Sequence, residues 1–309
     1  MKPLGLVIVG PTASGKSALA VKLAKKFDGE IISADSRQVY RGMNLSSGKI
    51  TKREMRGVPH YLLDVVNPKQ QFSVAQYQKL ANKKIAEILK RGKLPIICGG
   101  TGFYIQSIVD NLILPEVAPN KKLRAELGKK NTEQLFAILK KIDPERAKNI
   151  DAKNPRRLIR AIEIAMALEK VPKLSNIECP LNFIQIGINP PPKVLQKKIY
   201  LRLFARIRAG MVAEARLLHK NGVSWKRLES FGLEYKYLAL HLQKKITREK
   251  MLTGIERDSW LYAKRQLTWF KRDQRIIWLR ASGASGNKPW LRKLASRVSP
   301  TSRSRNKSL

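Results

Sequence analysis

The sequence predicts an α/β protein, a P-loop NTPase-like parallel-sheet core that carries an inserted all-helical domain. Three observations predict it. Short apolar runs alternate with longer helical patterns in the first third of the chain, a phosphate-loop motif joins the first run to the first helix, and the β signal vanishes between about Pro115 and Lys170. With 309 residues, 43% of them hydrophobic, the chain can bury a core, and its length suits one large domain with an insertion or two domains of ordinary size.

Strands are expected at residues 4–9, 30–34 and 94–98, with a helix after Gly15 and another over 73–91, where Ser73 and Gln76 have capping-box spacing. In open α/β sheets ligands collect at the carboxyl ends of strands, so the turns after Val9, Ala34 and Cys98 should converge. Charged helical patterns fill the insertion, bounded by Pro115 and Pro119 on one side and Pro172 on the other. A buried-strand pattern returns at 183–188, helices follow over about 192–221 and 247–272, and a last strand is expected at 276–279. The expected organisation is core at 1–114, insertion at 115–172, core with C-terminal helices at 173–285, and a basic tail at 286–309. Within that tail, residues 292–309 carry six cations, no acid and many Ser residues, a composition that predicts disorder.

Lys and Arg number 62 against 23 Asp and Glu, a formal charge of +39. Such an excess favours a polyanionic partner, nucleic acid or an anionic membrane surface. No apolar run reaches the roughly 20 residues of a spanning helix, and residues 4–9 are shorter than a signal-peptide core, so a cytoplasmic protein is expected. Two cysteines without a CxxC pair and three scattered histidines exclude a disulfide framework and a zinc finger.

Gly10, Pro11, Thr12, Ala13, Ser14, Gly15, Lys16 and Ser17 spell GxxxxGK[ST] between an apolar strand and a helix. Backbone N–H groups would cradle phosphate oxygens, Lys16 would add a point charge, and the Ser17 hydroxyl could ligate Mg²⁺. A nucleotide hydrolase normally also holds its metal with an acid after a second strand. Here the run at 94–98 leads into Gly99-Gly100-Thr101 instead, and the remaining strand-end acid is Asp35. That carboxylate suits either a turn cap or a general base beside the phosphate loop.

GPTASGKS, DSRQVYRG, GGTGFY, NPRRLIRAIEI and YAKRQLTWFKRD, in this order, resemble the tRNA dimethylallyltransferase family, also called tRNA isopentenyltransferase, over about residues 3–280. The resemblance implies transfer of a dimethylallyl group from dimethylallyl diphosphate to the exocyclic N6 amine of the adenosine immediately 3′ of the anticodon, with Mg²⁺ present and diphosphate released. By resemblance Asp35 is the base, Thr101 positions the amine, and Lys16, the loop Gly10–Ser17 and Arg202 hold the diphosphate. The same resemblance gives tRNA contacts to Asp35, Ser36, Arg37, Gln38, Thr101, Arg124, Arg156, Arg157, Leu158, Ile159 and Arg160. The partners implied are tRNA, through its anticodon stem-loop, and dimethylallyl diphosphate; no membrane is expected, and the chain is expected to be a monomer.

Asn154 reads as a helix N-cap with Pro155 in the first turn, which sets Arg156, Arg157 and Arg160 near one face. Over 247–272, 100° per residue gathers Arg257, Lys264, Arg265, Lys271 and Arg272 within roughly 120°. This stripe is expected to face RNA, with Lys264 and Arg265 as contacts, while Trp269 and Phe270 fall on the core side. Two segments depart from the family's pattern: Phe204 and Arg206 stand in place of Asp and Met near Arg202, and residues 231–235 (FGLEY) replace a GYKE-type sequence. The competing readings are a P-loop kinase of a small metabolite and a non-catalytic RNA-binding protein.

Overall fold

The structure, a computed structural model, describes residues 2–172 and 178–280. The expected tail at 286–309 lies outside the described residues. Strands β1 (Leu4–Val9), β2 (Gly29–Ala34), β3 (His60–Tyr61), β4 (Leu94–Gly99), β5 (Asn182–Asn189) and β6 (Ile276–Arg280) form one sheet in the order β3-β2-β4-β1-β5-β6. Every strand pairing in it is parallel.

Four helices precede the insertion, α1 (Lys16–Lys26), α2 (Lys52–Met55), α3 (Val74–Lys90) and α4 (Gly102–Val109). The insertion supplies α5 (Lys121–Leu127), α6 (Thr132–Ile142), α7 (Pro144–Lys148) and α8 (Pro155–Leu168). After it come α9 (Pro192–Arg208), α10 (Met211–Lys220), α11 (Trp225–Ser230), α12 (Leu233–Leu242) and α13 (Arg248–Phe270). The helical stretch expected over 192–221 is broken at Gly210, whose φ of 98° cannot continue a right-handed helix.

Alternation along β1 explains why its sequence is an unbroken apolar run. Leu6 and Ile8 face Ala20, Leu23 and Ala24 of α1, whereas Val7 and Val9 face Tyr77 and Ile85 of α3 and Tyr104 and Ile108 of α4. A central parallel strand is covered on both faces and so has no polar side. The capping box opens α3 as its spacing predicts, with Ser73 Oγ accepting from the Gln76 N–H and Gln76 Oε1 accepting from the Ser73 N–H.

The described chain divides into two compact units, residues 2–109 with 179–280, and residues 110–172 with Glu178. The second is all helical and closes on Leu127, Leu135, Leu139, Leu158 and Ile162. Its longest helix, α8, begins as the sequence predicts: Asn154 Oδ1 accepts from the Arg157 N–H at 3.2 Å, with Pro155 at the first position.

Candidate active site

The strand order sets β2, β4 and β1 side by side, so the turns after Ala34, Gly99 and Val9 meet at one sheet edge. Below the phosphate loop, Ala13 packs on Leu195 and Ile199 of α9 and Ala263 of α13. Lys16 folds back so that Nζ donates to the Pro11 carbonyl at 3.2 Å. Burial lowers its pKa, opposed by Cys98 and Asp35 and reinforced by Arg202 and Arg206, so its ammonium sits in the field of all four groups. Ser14 Oγ is buried with no partner among the described residues, although an unsatisfied buried hydroxyl costs about 1–3 kcal/mol. A hydroxyl left so inside an anion loop fits a ligand oxygen.

Asp35 closes the next turn: its Oδ1 accepts from the Arg37 N–H at 2.8 Å and from the Gln38 N–H at 3.3 Å. The turn-cap reading of this residue therefore holds, and the same two bonds fix the carboxylate's orientation. The Thr101 hydroxyl accepts from the Ser36 N–H at 3.0 Å, while the Thr101 N–H donates to the Ala34 carbonyl at 3.1 Å. Thr101 thus clasps the Asp35 turn to the end of β4.

Sequence reasoning missed the residue that ties the third turn in. Gln266 of α13 accepts from the Thr12 N–H through Oε1 and donates through Nε2 to the Gly100 carbonyl, both at 2.8 Å. A Cβ at position 100 would lie 2.2 Å from that Nε2, so the amide reaches its carbonyl only past glycine. The available signal was a polar residue on the core side of α13, where Phe270 is buried at 3% exposure. One turn earlier on the same helix, burial and then Asp35 raise the Tyr262 phenol's pKa well above its ordinary value.

A cavity of about 580 Å³ opens beside the loop, lined by Ser17, Gly48, Lys49, Arg53, Arg202 and Arg206 among others. Desolvation, with Arg206 beside it, brings the Arg202 pKa down to about 10 against the opposing pull of Glu54 and Glu234. The two segments that depart from the family pattern meet here, because Arg206 Nη1 lies 3.5 Å from Glu234 Oε1. Gly48 makes room for them, since a Cβ there would sit 1.9 Å from Arg206 Nη2. Phe204 is instead paired with Tyr200, ring centroids 4.5 Å apart. Tyr235 donates to Glu214, whose carboxylate also accepts the N–H groups of Asn44, Leu45 and Ser46.

The residues expected to meet RNA divide into open and engaged sets. Arg37 donates through Nε to the Phe231 carbonyl at 2.7 Å, and Gln38 donates to the Gly48 carbonyl at 3.3 Å. In the helical unit Arg156 and Arg157 are exposed, Arg157 with its Nη1 3.6 Å from Asp151 Oδ2, whereas Arg124 and Arg160 both turn to the buried Glu163, at 2.7 and 2.5 Å. Glu163 is buried at 2% exposure. Burial alone would raise its pKa, yet the two guanidiniums and the Asn120 N–H bring it down to about 2. Leu158 is fully buried in the unit's core and Ile159 packs partly against it. Lys264 and Arg265 are exposed, lying over the rings of Trp260 and Tyr262. The expected five-residue stripe shortens, because α13 ends at Phe270 and leaves Lys271 and Arg272 past its end, while Arg257 pairs with Asp258. Trp269 and Phe270 join the core, as their position predicts.

A parallel sheet whose carboxyl edge joins a phosphate loop, a cationic cavity and a strand-end carboxylate defines a P-loop α/β protein equipped for a phosphorylated substrate. The IPP transferase family model matches residues 38–273, and the chain belongs to that family. It is 42% identical over 286 residues to tRNA dimethylallyltransferase 1 of Syntrophus aciditrophicus, covering 89% of this chain and 92% of the relative. It is 43% identical over 272 residues to tRNA dimethylallyltransferase 2 of Treponema denticola, covering 86% and 91%. Among solved structures, the tRNA isopentenylpyrophosphate transferase of Bacillus halodurans superposes with a TM-score of 0.72 at 35% identity, over 96% of this chain and 97% of that one.

Proposed function

We propose that the chain transfers a dimethylallyl group from dimethylallyl diphosphate to the N6 amine of the adenosine 3′ of the anticodon in tRNA. The observation that carries this reading is the clasp of Asp35 and Thr101 beside the phosphate loop, held in register by Gln266. The loop N–H groups, the orphan Ser14 hydroxyl, Lys16 and Arg202 receive the diphosphate. As the allylic C–O bond breaks, its electron pair leaves with diphosphate, where these groups act most strongly on the growing charge. The amine nitrogen bonds the freed allylic carbon, and its proton passes to the Asp35 carboxylate. Thr101 keeps the base-bearing turn in place.

A base in an anticodon loop reaches such a cleft only by leaving its stack, so extrusion of the adenosine belongs to the reading. Exposed Arg156, Arg157, Lys264 and Arg265 take RNA phosphates, while Arg124 and Arg160 brace the inside of the helical unit through Glu163. Mg²⁺ usually keeps several waters and binds through substrate phosphates with one or two protein groups, which the Ser17 hydroxyl beside the loop fits. It would neutralise charge on the departing diphosphate. The reading takes one copy of the chain acting in the cytoplasm.

The test is incubation with unmodified tRNA, Mg²⁺ and either labelled dimethylallyl diphosphate or labelled ATP. Label in RNA from the first donor is expected. A phosphorylated small molecule from the second, or no transfer at all, would overturn the assignment.

A further inference from the structure

Helix α9 carries six cations and no acid in 17 residues. Its inner face buries Leu195, Ile199 and Leu203, and Arg202 and Arg206 beside them line the cavity. That leaves Lys193, Lys197, Lys198 and Arg208, all exposed and all without an ion pair among the described residues. Nothing in the site described above uses them.

At 100° per residue, Tyr200, Lys193, Phe204, Lys197, Arg208, Leu201 and Val194 fall in that angular order within about 120° on the outer face. Tyr200, Leu201 and Val194 are 45%, 52% and 42% exposed, and the Tyr200 ring stands tilted against Phe204. Cations and rings are therefore interleaved on one open surface. Helices that lie in a membrane surface segregate these types, with an apolar stripe on one side and charges on the other. Interleaving is what a polynucleotide needs, since phosphates and unstacked bases follow one another along the strand.

We propose that the outer face of α9 is a second RNA-binding surface, in which Lys193, Lys197 and Arg208 contact phosphates and Tyr200 stacks on a base of the RNA. This rests on the reading of the chain as an enzyme acting on RNA, and it adds a contact outside the residues placed at the active site. None of the residues of this face lines the cavity. The contact therefore acts on RNA affinity and leaves the chemical step alone.

The experiment compares the wild type with Lys193→Ala/Lys197→Ala/Arg208→Ala, and separately with Tyr200→Ala and Tyr200→Phe. Binding of a tRNA transcript is titrated against salt, binding to phosphatidylserine vesicles is measured in parallel, and transfer is followed at saturating RNA. Each true phosphate contact contributes about 0.7 to 0.9 to the log–log salt slope, so the triple variant should lose roughly 2 to 3. Its kcat at saturating tRNA and its affinity for dimethylallyl diphosphate should match the wild type. Tyr200→Ala should weaken RNA binding by about 5-fold or more, with Tyr200→Phe restoring it, because one stacked base contributes roughly 1–3 kcal/mol. An unchanged slope in the triple variant overturns the proposal, as does loss of vesicle binding with RNA binding intact. If the wild type transfers no label yet the slopes still differ, the RNA surface stands and the enzymatic reading falls.

Discussion

The phosphate loop region and the helical unit both gather cations around one place, and they use them in opposite ways. At the loop, Lys16 and Arg202 have no ion pair among the described residues, and their pKa values are lowered, beside a cavity of about 580 Å³. In the helical unit, Arg124 and Arg160 close on a buried carboxylate and hold its pKa near 2. Cations crowded by other cations cost stability and gain by receiving an anion; cations that already share a buried carboxylate gain less. A guanidinium in a motif is thus available to a ligand's charge to the degree that the fold leaves it unneutralised.

Substitutions at the two places should separate binding from stability. Lys16→Ala should lower the rate of transfer by about 10²–10³ and weaken dimethylallyl diphosphate binding, because the ammonium meets charge that is present in the substrate and grows in the transition state. Single-turnover transfer and calorimetry of diphosphate binding check this. Unchanged values for both would mean that the loop holds some other group.

Glu163→Ala should instead cost stability, on the order of 3 kcal/mol, by leaving two guanidiniums around an emptied site. The thermal transition should fall while diphosphate binding by the other unit stays at its wild-type value. The same carboxylate sets an acid limit. Its folded pKa of about 2 lies below the ordinary 4.5, so its contribution is complete above pH 4.5 and drains away as pH falls toward 2. Acid unfolding of the wild type should show this loss, and Glu163→Gln should flatten it.

The smallest effects distinguish two neighbouring arginines. Arg156→Ala should flatten the tRNA salt slope by about 0.7 to 0.9 and leave the melting temperature unchanged. Arg160→Ala should lower the melting temperature and change the slope by less. The reverse result would move Arg160 back to the RNA.

What the sequence discloses follows from how local each cause is. The phosphate loop, the caps of α3 and α8 and the apolar strands depend on neighbouring residues, and they form where their patterns predict. Two-residue β3 and four-residue α2 are too short to show a period, and α2 carries only the Thr51 and Glu54 capping-box spacing as a local sign. Among site residues, Asp35 and Thr101 announce themselves by following strands, whereas Gln266 acts on residues 166 and 254 positions away. The fate of Arg124 and Arg160 was equally hidden. Their carboxylate lies three residues after one and 39 after the other, and spacing on α8 alone gives no reason for Glu163 to be buried.

The most direct test of the account is single-turnover transfer by Asp35→Asn with tRNA and dimethylallyl diphosphate both bound beforehand. Asparagine can keep the turn through its side-chain oxygen but cannot take the amine proton. The rate should fall by about 10²–10⁴, with both substrate affinities within a few-fold of the wild type. Transfer at the wild-type rate would contradict it, removing Asp35 from the proton path and leaving it a turn cap.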